Sequence, residues 1–387
     1  QGLRSNRLRL PILKAGSPVS LDDLLSSPNA DADEALAGAT SSSSISTTQA
    51  SRLIDLCASP AASVTDPVSG ESFAPSELAG FGAAATAEEE RRLLNCYNAL
   101  ASRGLAPLFG AAREKPLPVP SGWRMSPDDV PRTTDLPLSA FRPAPGSGRF
   151  AWAAGAALCT AEVALARSLG IPATVPLLAT GALAALDSVV LGGALSEKAE
   201  NLIFRVDSES WEEDAGAPTR VVRHEAGHLL LAHLLGCPVQ GVSLSAWDQL
   251  LGRGSLSGRT DAGGAATAFF DQELNAAARR GEVSRGVVDR HCIVLMGGIA
   301  AEAMVYGAAE GGKDDERALT AFLSETIGRG FVGSAVAEQA RWSAVNALLL
   351  LREYREAYNR LVDKLEADRG NSIGECILAT SLGGNTG

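Results

Sequence analysis

The sequence predicts a mainly α-helical protein with a small β-hairpin beside the helix that carries His224 and His228, preceded by an apolar helical hairpin and a small helical N-terminal region. Three observations carry that expectation. The stretch 222–236 holds His224-Glu225-Ala226-Gly227-His228 followed by Leu229, Leu230, Leu234 and Leu235, an apolar helix face stopped by Gly236-Cys237-Pro238. Apolar residues recur at helical spacing elsewhere, as at Leu93, Leu94, Tyr97 and Leu100. The chain is also rich in alanine and glycine (40 glycines) and only 5% aromatic, a composition suited to close helix packing.

The 387 residues exceed what one average domain needs, and 45% hydrophobic residues suffice for a packed core. A net charge of −11, with no basic patch to reverse it, excludes nucleic acid as the main partner. Cysteines 57, 96, 159, 237, 292 and 376 form no C-x-x-C pair, so they read as buried or free thiols.

Residues 1–45 place Arg4, Arg7, Arg9 and Lys14 before the first acid, Asp22, and a serine run follows at Ser41–Ser44. This start resembles the remnant of an organelle transit peptide, and a merely disordered terminus fits equally well. Residues 46–110 read as a small helical region, with one helix near Thr47–Cys57 and a second opened by Thr86 and Glu88–Glu90. A docking or interaction module is the reading for it. Residues 111–149 carry eight prolines and read as an extended linker. Residues 150–197 are apolar apart from a few charges and read as a membrane segment, against the alternative of an alanine-rich hairpin buried in a soluble protein. Residues 198–387 read as one mostly helical domain. Its strands are expected at Val239–Ser245 and Gly254–Ser257. Its helices are expected at Ala265–Arg280, Ser284–Tyr306, Glu316–Ile327 and Ser334–Asp368. A short strand beside a metal site could bind an extended peptide through main-chain hydrogen bonds.

Residues four apart stack on one helix face, so His224 and His228 point the same way and can share a metal ion. Glu225 sits beside them and can reach a metal-bound water. Two histidines and a glutamate in this spacing are the pattern of a zinc hydrolase. A catalytic zinc usually takes three protein ligands. His233 turns about 140° away around the helix and is expected to be packed or hydrogen-bonded. His291 is expected to be a satisfied histidine at a helix start. Glu302, in an otherwise apolar helix, needs a partner and is either a ligand or an anchor for one. Asp314 and Asp315 open the next helix, where one could cap it and the other face the metal.

His224-Glu225-Ala226-Gly227-His228, then Gly297-Gly298-Ile299-Ala300-Ala301-Glu302 with Gly307, then Gly311-Gly312-Lys313-Asp314-Asp315, resemble in order and spacing the peptidase domain of FtsH-type zinc metalloproteases. The resemblance covers roughly residues 220–365 and implies that Asp315 is the third zinc ligand and Glu302 a structural residue. No G-x-x-x-x-G-K-[ST] phosphate loop is present, so the chain resembles the shorter plant and algal FtsH-like peptidases that lack the ATPase. With the transit-like start, that implies a chloroplast membrane, thylakoid or envelope. The expected function is zinc-dependent hydrolysis of peptide bonds, with His224, His228 and Asp315 on Zn²⁺ and Glu225 as the base. The alternative is a catalytically silent peptidase-fold scaffold. Expected partners are protein or peptide substrates, a membrane, and further copies of the chain or separate ATPase subunits.

Overall fold

A computed structural model of the chain describes residues 21–26, 31–59, 87–143, 149–170, 172, 174–178, 180, 220–245, 253–256, 265–327 and 333–381. These form a mainly helical protein with one small antiparallel hairpin.

At its centre lies the site helix, Arg220–Leu234. From Glu225 onward every one of its residues is buried, so it is surrounded rather than laid on a surface. Two helices, Gly297–Tyr306 and Arg355–Asp368, pack along it. The first comes so close that a Cβ on Gly227 would lie 2.4 Å from the Gly297 carbonyl oxygen. Only glycine lets the two backbones meet there. Tyr358 ties the second helix down by donating its hydroxyl to the Arg223 carbonyl at 2.9 Å.

The site helix ends as its sequence predicts. Gly236 adopts φ 75°, a left-handed conformation that glycine enters without strain. Cys237 N–H then donates to the Ala232 carbonyl and Gly236 N–H to that of His233. The last carbonyls receive further donors from outside the helix, Gly110 N–H on His233 and Ala112 N–H on Leu234. Tyr97 donates to the Val239 carbonyl at 3.1 Å just beyond.

The N-terminal helices are therefore part of the same body. Thr47–Ala58 and Ala87–Ser102 pack together, and the first also packs on the C-terminal helix Ile373–Ala379. One continuous core runs from Ala32 to Leu378. The proline-rich stretch read as a linker is likewise laced onto the helices. Val119 N–H donates to Asn346, Trp342 to the Pro120 carbonyl, Arg341 to that of Met125, and Ser121 to buried Asp289. Prolines deny this segment its own ladder, so side chains of neighbouring helices satisfy its backbone.

The hairpin pairs β1 (Val239–Ser243) with β2 (Ala266–Phe269), with Val242 opposite Thr267 and a bulge between Val239 and Gly241. The second strand thus differs from the expected Gly254–Ser257, whose described part is a bend and turn. There Ser255 uses its hydroxyl, not its backbone, to accept from Val242 N–H at 2.9 Å. The helix expected from Ala265 begins at Gln272, because Asp271 caps it by accepting from Glu273 N–H and Leu274 N–H. Alanine-rich residues 266–269 are strand because they pair with β1, a tertiary effect that overrides their helix propensity.

Two expected long helices are each broken in two. Ser284–Tyr306 becomes Arg285–Leu295 and Gly297–Tyr306, parting at Met296 just before the Gly297-Gly298 pair. Ser334–Asp368 becomes Ser334–Glu353 and Arg355–Asp368, turning at Tyr354. His291 consequently lies in mid-helix rather than at a helix start. The helix expected at Glu316–Ile327 is Lys313–Ala321 followed by a π-helical turn, Phe322–Ile327.

Residues 149–168 form one helix, and Glu162 accepts from Thr180 at 2.7 Å. Among the described residues no helix is long and apolar enough to cross a membrane, so the expected membrane hairpin finds no support in them. Glu162 and Arg167 interrupt the second half of the helix, and much of the rest is alanine. Residues 181–197 of that expected segment lie outside the described residues, as does most of the transit-like start.

Candidate metal centre

Three elements deliver the donors. The site helix supplies His224 and His228, one turn apart, with ring centroids 4.9 Å from each other. The helix Lys313–Ala321 supplies Asp315 from its first turn. Asp315 Oδ2 lies 3.0 Å from His224 Nε2 and 3.3 Å from His228 Nε2, and the two Nε2 atoms are 3.1 Å apart. These three side chains form a possible metal-binding triad.

The hydrogen bonds behind the rings decide what faces inward. His228 Nδ1 is 2.8 Å from the Val294 carbonyl oxygen, which can only accept, so Nδ1 carries the hydrogen. His224 Nδ1 is 2.8 Å from Glu302 Oε1 and donates in the same way. When neutral, each ring therefore turns a bare Nε2 lone pair inward, toward a carboxylate oxygen. Asp315 Oδ2 is buried and has no hydrogen-bond donor. Three acceptors this close repel one another unless a positive charge sits among them, either a proton on one Nε2 or a metal ion. The separations of 3.0–3.3 Å match the roughly 3.3 Å edge of a tetrahedron with metal–ligand bonds of about 2.0–2.1 Å. The donor set fits a divalent metal.

The electrostatics agree. Burial opposes charge on both imidazoles, yet Asp315 outweighs it and raises their pKa values, that of His224 well above the ordinary range. Burial likewise opposes charge on Asp315, but the two histidines hold its carboxyl far below the usual carboxylate range. The site thus favours whatever cation it can take.

Glu302 lies behind His224 rather than among the donors. Its carboxylate accepts from His224 Nδ1, from Arg220 at 3.1 Å, and from the backbone N–H groups of Glu310 and Gly311. Burial works to raise its pKa, but His224 and the two backbone N–H groups hold it below normal. It fixes the tautomer and direction of the His224 ring. Asp314 points elsewhere and pairs with Arg317 on the helix surface at 3.1 Å. Neither aspartate caps the helix, whose N-cap is Gly312.

Glycines clear the space around the donors. A Cβ on Gly298 would lie 2.1 Å from His224 Nε2, one on Gly311 would lie 2.7 Å from Glu302 Oε1, and Gly312 takes φ 95° beside Asp315. The paired glycines of the sequence have this steric cause.

Glu225 is buried beside the triad, and burial pushes its carboxyl pKa up. Thr267 on β2 donates its hydroxyl to Glu225 Oε2 at 2.7 Å. No sequence signal marks Thr267, because its partner is 42 positions away and the strand carrying it reads as helix. The Val294 carbonyl behind His228 is equally silent, since every residue has one.

The remaining two histidines are not donors. His233 is fully buried beside the rings of Tyr97 and Phe109, with neither ring nitrogen hydrogen-bonded, and burial pushes its pKa down to about 3. His291 packs between Phe269 and Phe322, and burial pushes it down to about 4. The expected packing of His233 away from the metal is what is found, whereas the Nδ1 of His291 is unsatisfied.

Comparison of the chain with models of known families, with curated proteins and with solved structures gives no match, so the site stands on its own geometry.

Proposed function

We propose that this protein is a zinc-dependent metalloendopeptidase of FtsH-like type. The observation that carries the proposal is the triad itself, three convergent ligand atoms on His224, His228 and Asp315 with a buried carboxylate, Glu225, on the residue after His224. Nitrogen and carboxylate donors at tetrahedral separations suit zinc. When bound there, zinc would supply a Lewis acid that acidifies water and polarises a peptide carbonyl.

The chain's own residues do the rest. His224 Nε2, His228 Nε2 and Asp315 Oδ2 would hold the ion, and Glu302 and the Val294 carbonyl keep the two rings aimed. Glu225 accepts a proton from the attacking water through its carboxylate. It then returns that proton to the leaving nitrogen, so water and a peptide become an acid and an amine. The resemblance to plant and algal FtsH-like peptidases, together with the acid-poor, arginine-bearing residues 1–20, supports a chloroplast membrane location for this activity.

The test is zinc analysis of purified protein together with cleavage of unfolded casein by the wild type and Glu225→Gln. One zinc per chain in both, with cleavage by the wild type alone, is expected. Equal cleavage by the variant, or a wild type that binds no zinc, would overturn the proposal.

A further inference from the structure

We infer that Thr267 is the positioning residue for the proposed base, holding Glu225 by one oxygen so that the other is left to carry the proton. The inference rests on the peptidase reading and adds a part to its machinery.

Thr267 Oγ1 lies 2.7 Å from Glu225 Oε2 and 3.4 Å from the Glu225 carbonyl oxygen. A hydroxyl has one proton, so the short contact takes it and the long one is secondary. Both side chains are buried, so water does not compete for this donor. Among the described residues, no other side chain hydrogen-bonds the Glu225 carboxylate.

The geometry gives the bond a purpose. A glutamate has three side-chain torsions, and its carboxylate can swing widely unless something pins it. Pinning Oε2 from β2 fixes the carboxylate plane while the helix fixes the Cα. Oε1 is then the oxygen without a side-chain donor, left to collect the proton and give it back. The support is itself rigid. Thr267 is in register with Val242 of β1, and Val242 N–H is in turn held by Ser255. The hairpin thus acts as a strut that fixes the base from outside the helix bearing the histidines. Thr267 does not bond His224, His228 or Asp315, so its removal should leave the metal in place.

The test uses the full chain loaded with zinc, as wild type, Thr267→Val and Thr267→Ser. Valine keeps the shape and strand preference of threonine but has no donor, and serine keeps the donor. Three quantities are read: zinc per chain, kcat and KM on an unfolded substrate, and the Kd of a peptidyl hydroxamate, which hands its own proton to the base. Expected for Thr267→Val is one zinc per chain, unchanged KM, and kcat lower by about 10- to 100-fold, the size expected for a hydrogen bond to a charged group. Hydroxamate affinity should fall with kcat, and serine should restore both to within about threefold of wild type, given that its hydroxyl is retained. Wild-type kcat and hydroxamate affinity in Thr267→Val would overturn the inference. So would serine failing as badly as valine, which would mark a packing role. If valine does not fold, Thr267→Ala makes the same comparison with serine. A wild type that binds zinc but cleaves nothing would instead sink the peptidase reading, and this inference with it.

Discussion

Lowering the pH from about 7.5 to about 5 should destabilise the protein by about 4 kcal/mol through two buried histidines, about 2 kcal/mol from each. His233 has no hydrogen bond to either ring nitrogen, and burial holds its folded pKa at about 3. Burial also lowers His291, to about 4, against a weaker opposing pull from Asp271. In the unfolded chain both titrate near the ordinary 6.5. Below that value the unfolded chain binds protons that the folded chain refuses. The stability these residues contribute is therefore complete above pH 6.5, declines as the pH falls, and levels off below each folded pKa. At pH 5 the gap to the unfolded value is about 1.5 units, and each unit is worth about 1.4 kcal/mol. A total of about 4 kcal/mol is a large part of the 5–15 kcal/mol typical of a folded domain. Urea denaturation of the wild type and His233→Leu across this range is the assay. Leucine removes two unpaired buried nitrogens, so at about pH 7.5 the variant should be no less stable than wild type. By about pH 5 it should have lost about 2 kcal/mol less than the wild type. Superimposable pH profiles would refute the reasoning.

Two further outcomes follow from the site. Gly298→Ala puts a Cβ 2.1 Å from His224 Nε2, so the ring must leave the triad and zinc should be lost on dialysis while the far-UV circular dichroism stays near wild type. Glu302→Gln keeps the shape but removes the charge behind His224 Nδ1, and calorimetric titration should show zinc affinity reduced by about 10- to 100-fold.

How much of this was legible in the sequence depended on how local each cause was. The histidine pair, the end of the site helix at Gly236 and the packed state of His233 all follow from positions a few residues apart on one helix. The mainly helical class followed in the same way. Asp315 was reachable only through the order of separated glycine-bearing blocks, and Glu302 stayed open between ligand and anchor until its place behind Nδ1 was seen. What could not be read was non-local. Residues 266–269 are alanine-rich and become strand only against β1. The proline-rich segment looks like a free linker because its partners, Asn346, Trp342 and Asp289, lie more than a hundred positions away. The apolar stretch after Arg149 read as a membrane segment because its alanines resemble a span, yet no described helix is long and apolar enough to make one.

The central claim is that one zinc ion sits between His224, His228 and Asp315 with Glu302 behind it. The most direct measurement is anomalous X-ray scattering at the zinc edge from crystals of the zinc-loaded protein. A single strong peak about 2.0–2.1 Å from His224 Nε2, His228 Nε2 and an Asp315 oxygen is the predicted result. No peak there, or a peak bonded to Glu302 or Asp314 in place of Asp315, would contradict the account.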